Sequence, residues 1–177
     1  MKTFLVVFLL LSLSNSGLTE TEKKATLDAH NGFRKQILLG QVPGQPKAKA
    51  MPNLKWNAEL EKKAQEHANK CRFMHDSYVE RRTTQFQYVG QNIYGGYNYA
   101  EAVKKWFDEH SSYDYEKNAS KDKKPTGHYT QVVWAKSTDL GCAVKDCTGV
   151  PGYTLRYLFV CNYGPATTEF LRELLLN

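Results

Sequence analysis

The spacing of apolar residues changes partway along this chain, and that change limits it to folds that pack helices against a sheet. From Thr19 to His110 apolar side chains recur every three or four residues, the repeat that gives a helix one core-facing side. A Thr19/Glu22 capping box opens the first helix, Leu27, His30, Asn31, Arg34, Ile37 and Leu38 continue it, and Gly40 ends it. After a Gly- and Pro-containing loop (Gln41 to Pro52), Trp56 and Asn57 open a second helix with Leu60, Ala64, His67, Ala68 and Cys71 in step. Met74 to Gln87 is polar and irregular. Asn98, with Glu101 three residues on, caps a third helix that sets Ala102, Val103, Trp106 and Glu109 or His110 on one side. Beyond a lysine-rich stretch, Tyr129 to Trp134, Gly141 to Val144 and Leu155 to Asn162 are rich in Val, Thr, Tyr and Phe and read as strands, with Val150-Pro151-Gly152 as a turn. Three helices around an antiparallel sheet make an α+β fold, a three-layer α/β/α sandwich.

The N-terminus reads as an export signal. Lys2 precedes an apolar run from Phe4 to Leu13, and Ser14-Asn15-Ser16 offers small residues for cleavage, placed after Ser16. That run is shorter than the roughly 20 apolar residues of a spanning helix. The expected product is therefore a secreted, extracellular chain, residues 17–177, forming one domain without a membrane anchor. Removing residues 1–16 takes away Lys2 and leaves a net charge of +5. The lysines are scattered, as on a solvated surface; residues 117–124 are the densest run and the place for an acidic polysaccharide or anionic lipid. No zinc-finger spacing or RNA-binding aromatic motif is present, so nucleic acid is not an expected partner. Asn118-Ala119-Ser120 is the single glycosylation sequon. Four cysteines in an oxidising compartment imply two disulfides, with three possible pairings.

Two eight-residue segments are the most specific feature: Gly127-His128-Tyr129-Thr130-Gln131-Val132-Val133-Trp134 and Phe159-Val160-Cys161-Asn162-Tyr163-Gly164-Pro165-Ala166. Together, and in this order, they resemble the signature segments of the CAP superfamily, which includes cysteine-rich secretory proteins, venom allergens and pathogenesis-related proteins. The resemblance runs over residues 22 to 167 and implies the α/β/α sandwich. It selects the pairings Cys71–Cys147 and Cys142–Cys161. It also implies a central cleft of two histidines and two glutamates. His128 matches one histidine, His75 in Cys71-Arg72-Phe73-Met74-His75 the other, and Glu109 in Trp106-Phe107-Asp108-Glu109 one glutamate. The remaining glutamate position, between Gly90 and Asn92, is Gln91 here.

Neutral imidazole is a good zinc or copper ligand, and a carboxylate nearby binds the metal, its water or the second ring nitrogen. Gln91 keeps an acceptor and gains a donor, but it removes a negative charge. The expectation is weak, pH-dependent zinc or copper binding by His75 and His128, lost as they protonate. The competing account is a polar cluster that only holds helices to the sheet. No catalytic residue is assigned, although His75, Gln91, Glu109 and His128 line the cleft. A peptidase-like hydrolase would need Ser77, His75 and Glu109, yet the Gly-x-Ser-x-Gly elbow and the His-Glu-x-x-His helix are both missing.

Phe86, Tyr88, Tyr94, Tyr97 and Tyr99, around Gly90 and Gly95-Gly96, suit a flat sterol or other lipid if they line a loop, or ordinary packing if they lie on the sheet. His30, Asn31 and Arg34 read as a buried polar contact, and His67 and His110 as surface or packing residues. Residues 169–176 form an apolar tail suited to docking or self-association. The function expected from these features is a secreted binding protein similar to arthropod venom allergens. It would act without turnover on an extracellular protein or a lipid.

Overall fold

The structure, a computed structural model, describes residues 17–166. The export-type segment and the apolar tail lie outside the described residues. Helix α1 (Glu20–Leu39) starts at the expected capping box and ends at Gly40, whose φ of 70° suits a residue without a Cβ. Asn57 caps α2 (Ala58–Ala68) by accepting from the amides of Glu59 and Leu60. Asn98 caps a 3-10 turn (Tyr99–Glu101) that leads into α4 (Ala102–Asp108). The irregular stretch after Met74 contains one short helix, α3 (Tyr78–Arg81).

Strands β1 (Lys55–Trp56), β2 (Gly90–Gly96), β5 (Asp139–Asp146) and β6 (Tyr157–Gly164) form one sheet in the order β1-β5-β6-β2. Only the two-residue β1 runs parallel to its neighbour, so the sheet is mostly antiparallel. A small hairpin of β3 (Tyr113–Asp114) and β4 (Ala119–Ser120) stands apart. Alternation along the strands sorts the core into two layers. Leu140, Cys142, Val144, Phe159, Cys161 and Tyr163 face α1, α4 and α5 (Gly127–Val132). Ile93, Ala143, Leu158 and Val160 face Ala64 and Ala68 of α2. At Gly141 the α2 backbone lies directly on the sheet: an added Cβ would stand 2.1 Å from the Glu61 amide nitrogen. Both disulfides are present with the pairing the resemblance implied. Cys142–Cys161 joins directly opposed residues of β5 and β6, and Cys71–Cys147 ties the end of α2 to the turn after β5.

One expectation is corrected. Tyr129 to Trp134 is not a strand, because residues 127–132 form α5 despite their β-branched and aromatic content. Both ends of α5 are satisfied from elsewhere. Glu109 accepts from the amides of His128 and Tyr129, and Arg34 donates to the carbonyls of Val132 and Trp134. A carboxylate at the N-terminus and a guanidinium at the C-terminus also match the helix dipole. Tertiary contacts of this kind outweigh an intrinsic β preference. The segment Gly90 to Gly96, for which both a loop and packing on the sheet were open, is a strand that pairs with β6 from Gly90↔Tyr163 to Gly96↔Tyr157.

Candidate functional site

The cleft side chains come from four separate elements. His75 follows the disulfide-tied Cys71, Gln91 is the second residue of β2, Glu109 starts the 3-10 turn after α4, and His128 is the second residue of α5. They form two imidazole–acceptor pairs. His75 Nδ1 lies 2.9 Å from Gln91 Oε1, and His128 Nδ1 lies 2.6 Å from Glu109 Oε1. Asn92, beside Gln91, joins the pairs by donating to the His128 carbonyl at 3.1 Å.

The network around Gln91 settles which way its amide points. Asn162 donates to the Leu60 carbonyl, so its oxygen is the atom that accepts from Gln91 Nε2 at 3.1 Å. Gln91 Oε1 then faces His75 and the Arg81 guanidinium as an acceptor. Each cleft imidazole therefore carries its proton on Nδ1, and the neutral ring holds its lone pair on Nε2. Burial holds His75 below its ordinary pKa. The Gln91 hydrogen bond opposes that shift, while Arg81 and His128 add to it.

Glu109 does more than the sequence suggested. Its Oε2 takes the amides of His128 and Tyr129 at 3.0 and 3.1 Å, replacing the side-chain cap that Thr126 does not supply. The Trp106 ring stacks at 18° on His128 and at 18° on Phe159, fixing the imidazole plane. Glu109 is therefore a clamp whose oxygens already serve three donors.

Of the polar residues behind the cleft, Arg81 was not singled out by the sequence. Arg81 is buried, donates to the Val89 and Asp76 carbonyls and pairs with Asp76 at 2.8 Å. On the far side, His30 Nδ1 donates to the Thr26 carbonyl and Nε2 accepts from the Tyr163 hydroxyl, both at 2.8 Å. Asn92 donates to the same hydroxyl. Arg34, fully buried, makes five hydrogen bonds, all to the carbonyls of Pro52, Val132, Trp134 and Ser137. Burial pulls its pKa down to about 10. Asn31 brackets the Leu54 backbone through both amide atoms. These three α1 residues are structural, as expected. His67 is a packing residue, with Nε2 against the Met74 carbonyl, while His110 packs its ring on Phe107.

Other candidates separate. Ser77, the hydroxyl a hydrolase would require, is the N-cap of α3 and donates to Glu80 at 2.9 Å. The five aromatic residues share no face. Phe86 is buried, Tyr99 stacks on Phe159 and bonds Glu22, and Tyr88 and Tyr97 point into solvent. Asn118 sits in the exposed β3–β4 turn with φ of 48°. Among the described residues no three His, Cys, Asp or Glu side chains converge as a cation site, and no helix is long and apolar enough to cross a membrane.

Comparison with known proteins agrees with this geometry. Residues 27–163 match the cysteine-rich secretory protein family, CAP. Venom allergen 5.02 of Vespa crabro is 42% identical over 85% of this chain and 78% of its own. Scoloptoxin SSD552 of Scolopendra dehaani is 40% identical over 84% and 71%. Among solved structures, the Schistosoma mansoni venom allergen-like protein 4 superposes with a TM-score of 0.75 at 31% identity, covering 86% of this chain and 92% of its own. A crystal structure of NaASP2 with Zn2+ gives 0.68 at 29% identity over 87% and 84%.

Proposed function

Since the chain belongs to the cysteine-rich secretory protein (CAP) family, we propose that it is a secreted, venom allergen-like binding protein whose cleft holds a divalent cation weakly and performs no turnover. The observation that carries this reading is the pair of Nδ1-anchored imidazoles, His75 on neutral Gln91 and His128 on anionic Glu109. Such rings present Nε2 lone pairs as zinc or copper ligands. A bound cation would take His75 and His128 from the protein and complete its shell with water, fewer protein ligands than the three usual in a catalytic zinc site. It would supply positive charge to the cleft. Glu109 orients His128, and Gln91 orients His75 without contributing charge. The Zn2+ of the NaASP2 crystal is in keeping with this reading. The engagement of Ser77 by Glu80 counts against a serine hydrolase.

Zinc calorimetry tests the proposal. Wild type should bind weakly at pH 7.5 and lose binding as the histidines protonate, with heat abolished in His128→Ala. Gln91→Glu should bind about tenfold more tightly, roughly 1.4 kcal/mol, because a carboxylate replaces a neutral acceptor against His75. Unchanged or weaker affinity in Gln91→Glu would refute the charge argument.

A lipid is the second reading. It is favoured by Phe73 and Met74, 60% and 63% exposed immediately before His75. A pull-down with radiolabelled sterol at micromolar protein decides it, and failure to retain sterol removes it.

A further inference from the structure

Apart from the cleft, the described residues contain a groove of about 760 Å³ between the 45–51 loop, the β3–β4 hairpin and α5. It shares none of the four cleft side chains. Its walls are preorganised by Gln45, whose amide nitrogen donates to the carbonyls of His110 and Tyr113 and whose oxygen accepts from the Tyr129 hydroxyl. One glutamine thus locks loop, hairpin and helix together, so the groove exists before any ligand arrives.

Two features of the lining bear on the ligand. The first is aromatic surface: Tyr113, Tyr115, Tyr129 and Trp134 contribute rings, and Tyr115 is 58% exposed. The second is charge. Lys47 and Lys49 line one wall. Neither lies within 4.0 Å of a carboxylate among the described residues, whereas Lys117 and Lys124 nearby in the sequence of the hairpin are paired with Asp114 and Asp122.

We propose that this groove binds an anionic oligosaccharide, a glycan bearing sulfate or uronic acid groups. Pyranose rings place their C–H faces on Tyr and Trp rings, and their anionic groups meet the ammonium groups of Lys47 and Lys49. A fatty-acid-like amphiphile fits less well, because the lysine-bearing wall is exposed at Pro46, Lys47, Lys49 and Ala50 and would leave an acyl chain in contact with water.

The test uses the purified secreted protein and a heparin-derived hexasaccharide, with sodium oleate as the amphiphile arm. Both are followed by calorimetry and tryptophan fluorescence. Lys47→Gln/Lys49→Gln should weaken hexasaccharide binding at least tenfold and flatten the salt dependence of binding. Tyr115→Ala should weaken it at least fivefold. Lys62→Gln/Lys70→Gln, a charge-matched pair on the α2 side, should change it less than twofold. All five positions are exposed, and thermal melts check that each variant is folded. Equal weakening by the two lysine pairs would reduce the effect to bulk charge and overturn the proposal. So would an unaffected Tyr115→Ala, no hexasaccharide binding, or binding of oleate alone.

Discussion

Acidification should destabilise this protein, with His30 making the largest contribution. Its ring is fully buried, with Nδ1 on the Thr26 carbonyl and Nε2 taking the Tyr163 hydroxyl proton. Adding a proton to Nε2 would set two donors against each other in a site already occupied by the Arg34 charge. Burial first, and Arg34 second, push the His30 pKa down to about 4, against a partial opposing effect of the Thr26 bond. Above about pH 6.5 neither folded nor unfolded chain is protonated there, and stability does not depend on the group. Between about 6.5 and 4 the unfolded chain takes up the proton and the folded chain does not, so stability falls as pH falls. The full loss is about 3 kcal/mol, of which about 2.5 kcal/mol is reached by pH 4.5. Urea unfolding at pH 7.5, 6.5, 5.5 and 4.5 measures it, with His30→Asn as the non-titrating comparison. His67, His75 and His110 are also held below their ordinary values by burial and add a slope common to both proteins. The wild-type curve should therefore drop more steeply than that of the variant. Parallel curves between pH 6.5 and 4.5 would refute the assignment.

Arg34→Met removes five hydrogen bonds and takes the guanidinium donors from the carbonyls of Pro52, Val132, Trp134 and Ser137, so it should cost about 4 kcal/mol in urea unfolding. A loss below 2 kcal/mol would mean that water replaces the guanidinium. Gly141→Ala drives a methyl group into the α2 backbone and should cost about 2–4 kcal/mol, with a lower melting temperature and both disulfides retained. Glu109→Gln keeps the shape but not the charge of the α5 cap. The His128 and Tyr129 amides should exchange about tenfold faster, matching roughly 1.4 kcal/mol of local stability. Unchanged exchange would show that α5 is held by packing alone.

The cleft was legible as far as its residue types. His75, Glu109 and His128 were picked out with Gln91 as the odd member, and the structure sets them in two bonded pairs. Which atom of Gln91 faces His75 could not be read, because it depends on Asn162 and Leu60, far away in the chain. Arg81 was missed because an arginine in a polar, irregular stretch carries no periodic signal, and only its burial beside Asp76 reveals its part. The lysine run 117–124 was read as one patch, but two of its lysines are paired locally, Lys117 with Asp114 and Lys124 with Asp122.

Local chemistry was enough to determine the helix caps at Thr19 and Asn57, the stop at Gly40 and the helical spacing of α1 and α2, because each rests on neighbours within a few residues. The family segments carried the scaffold and its disulfide pairing. Only the tertiary structure decided the state of residues 127–132. Their Val, Thr and Tyr content favours a strand, and a helix wins because Glu109 satisfies its first amides and Arg34 its last carbonyls. Those partners lie 19 and about 100 residues away along the chain, beyond the reach of any local pattern.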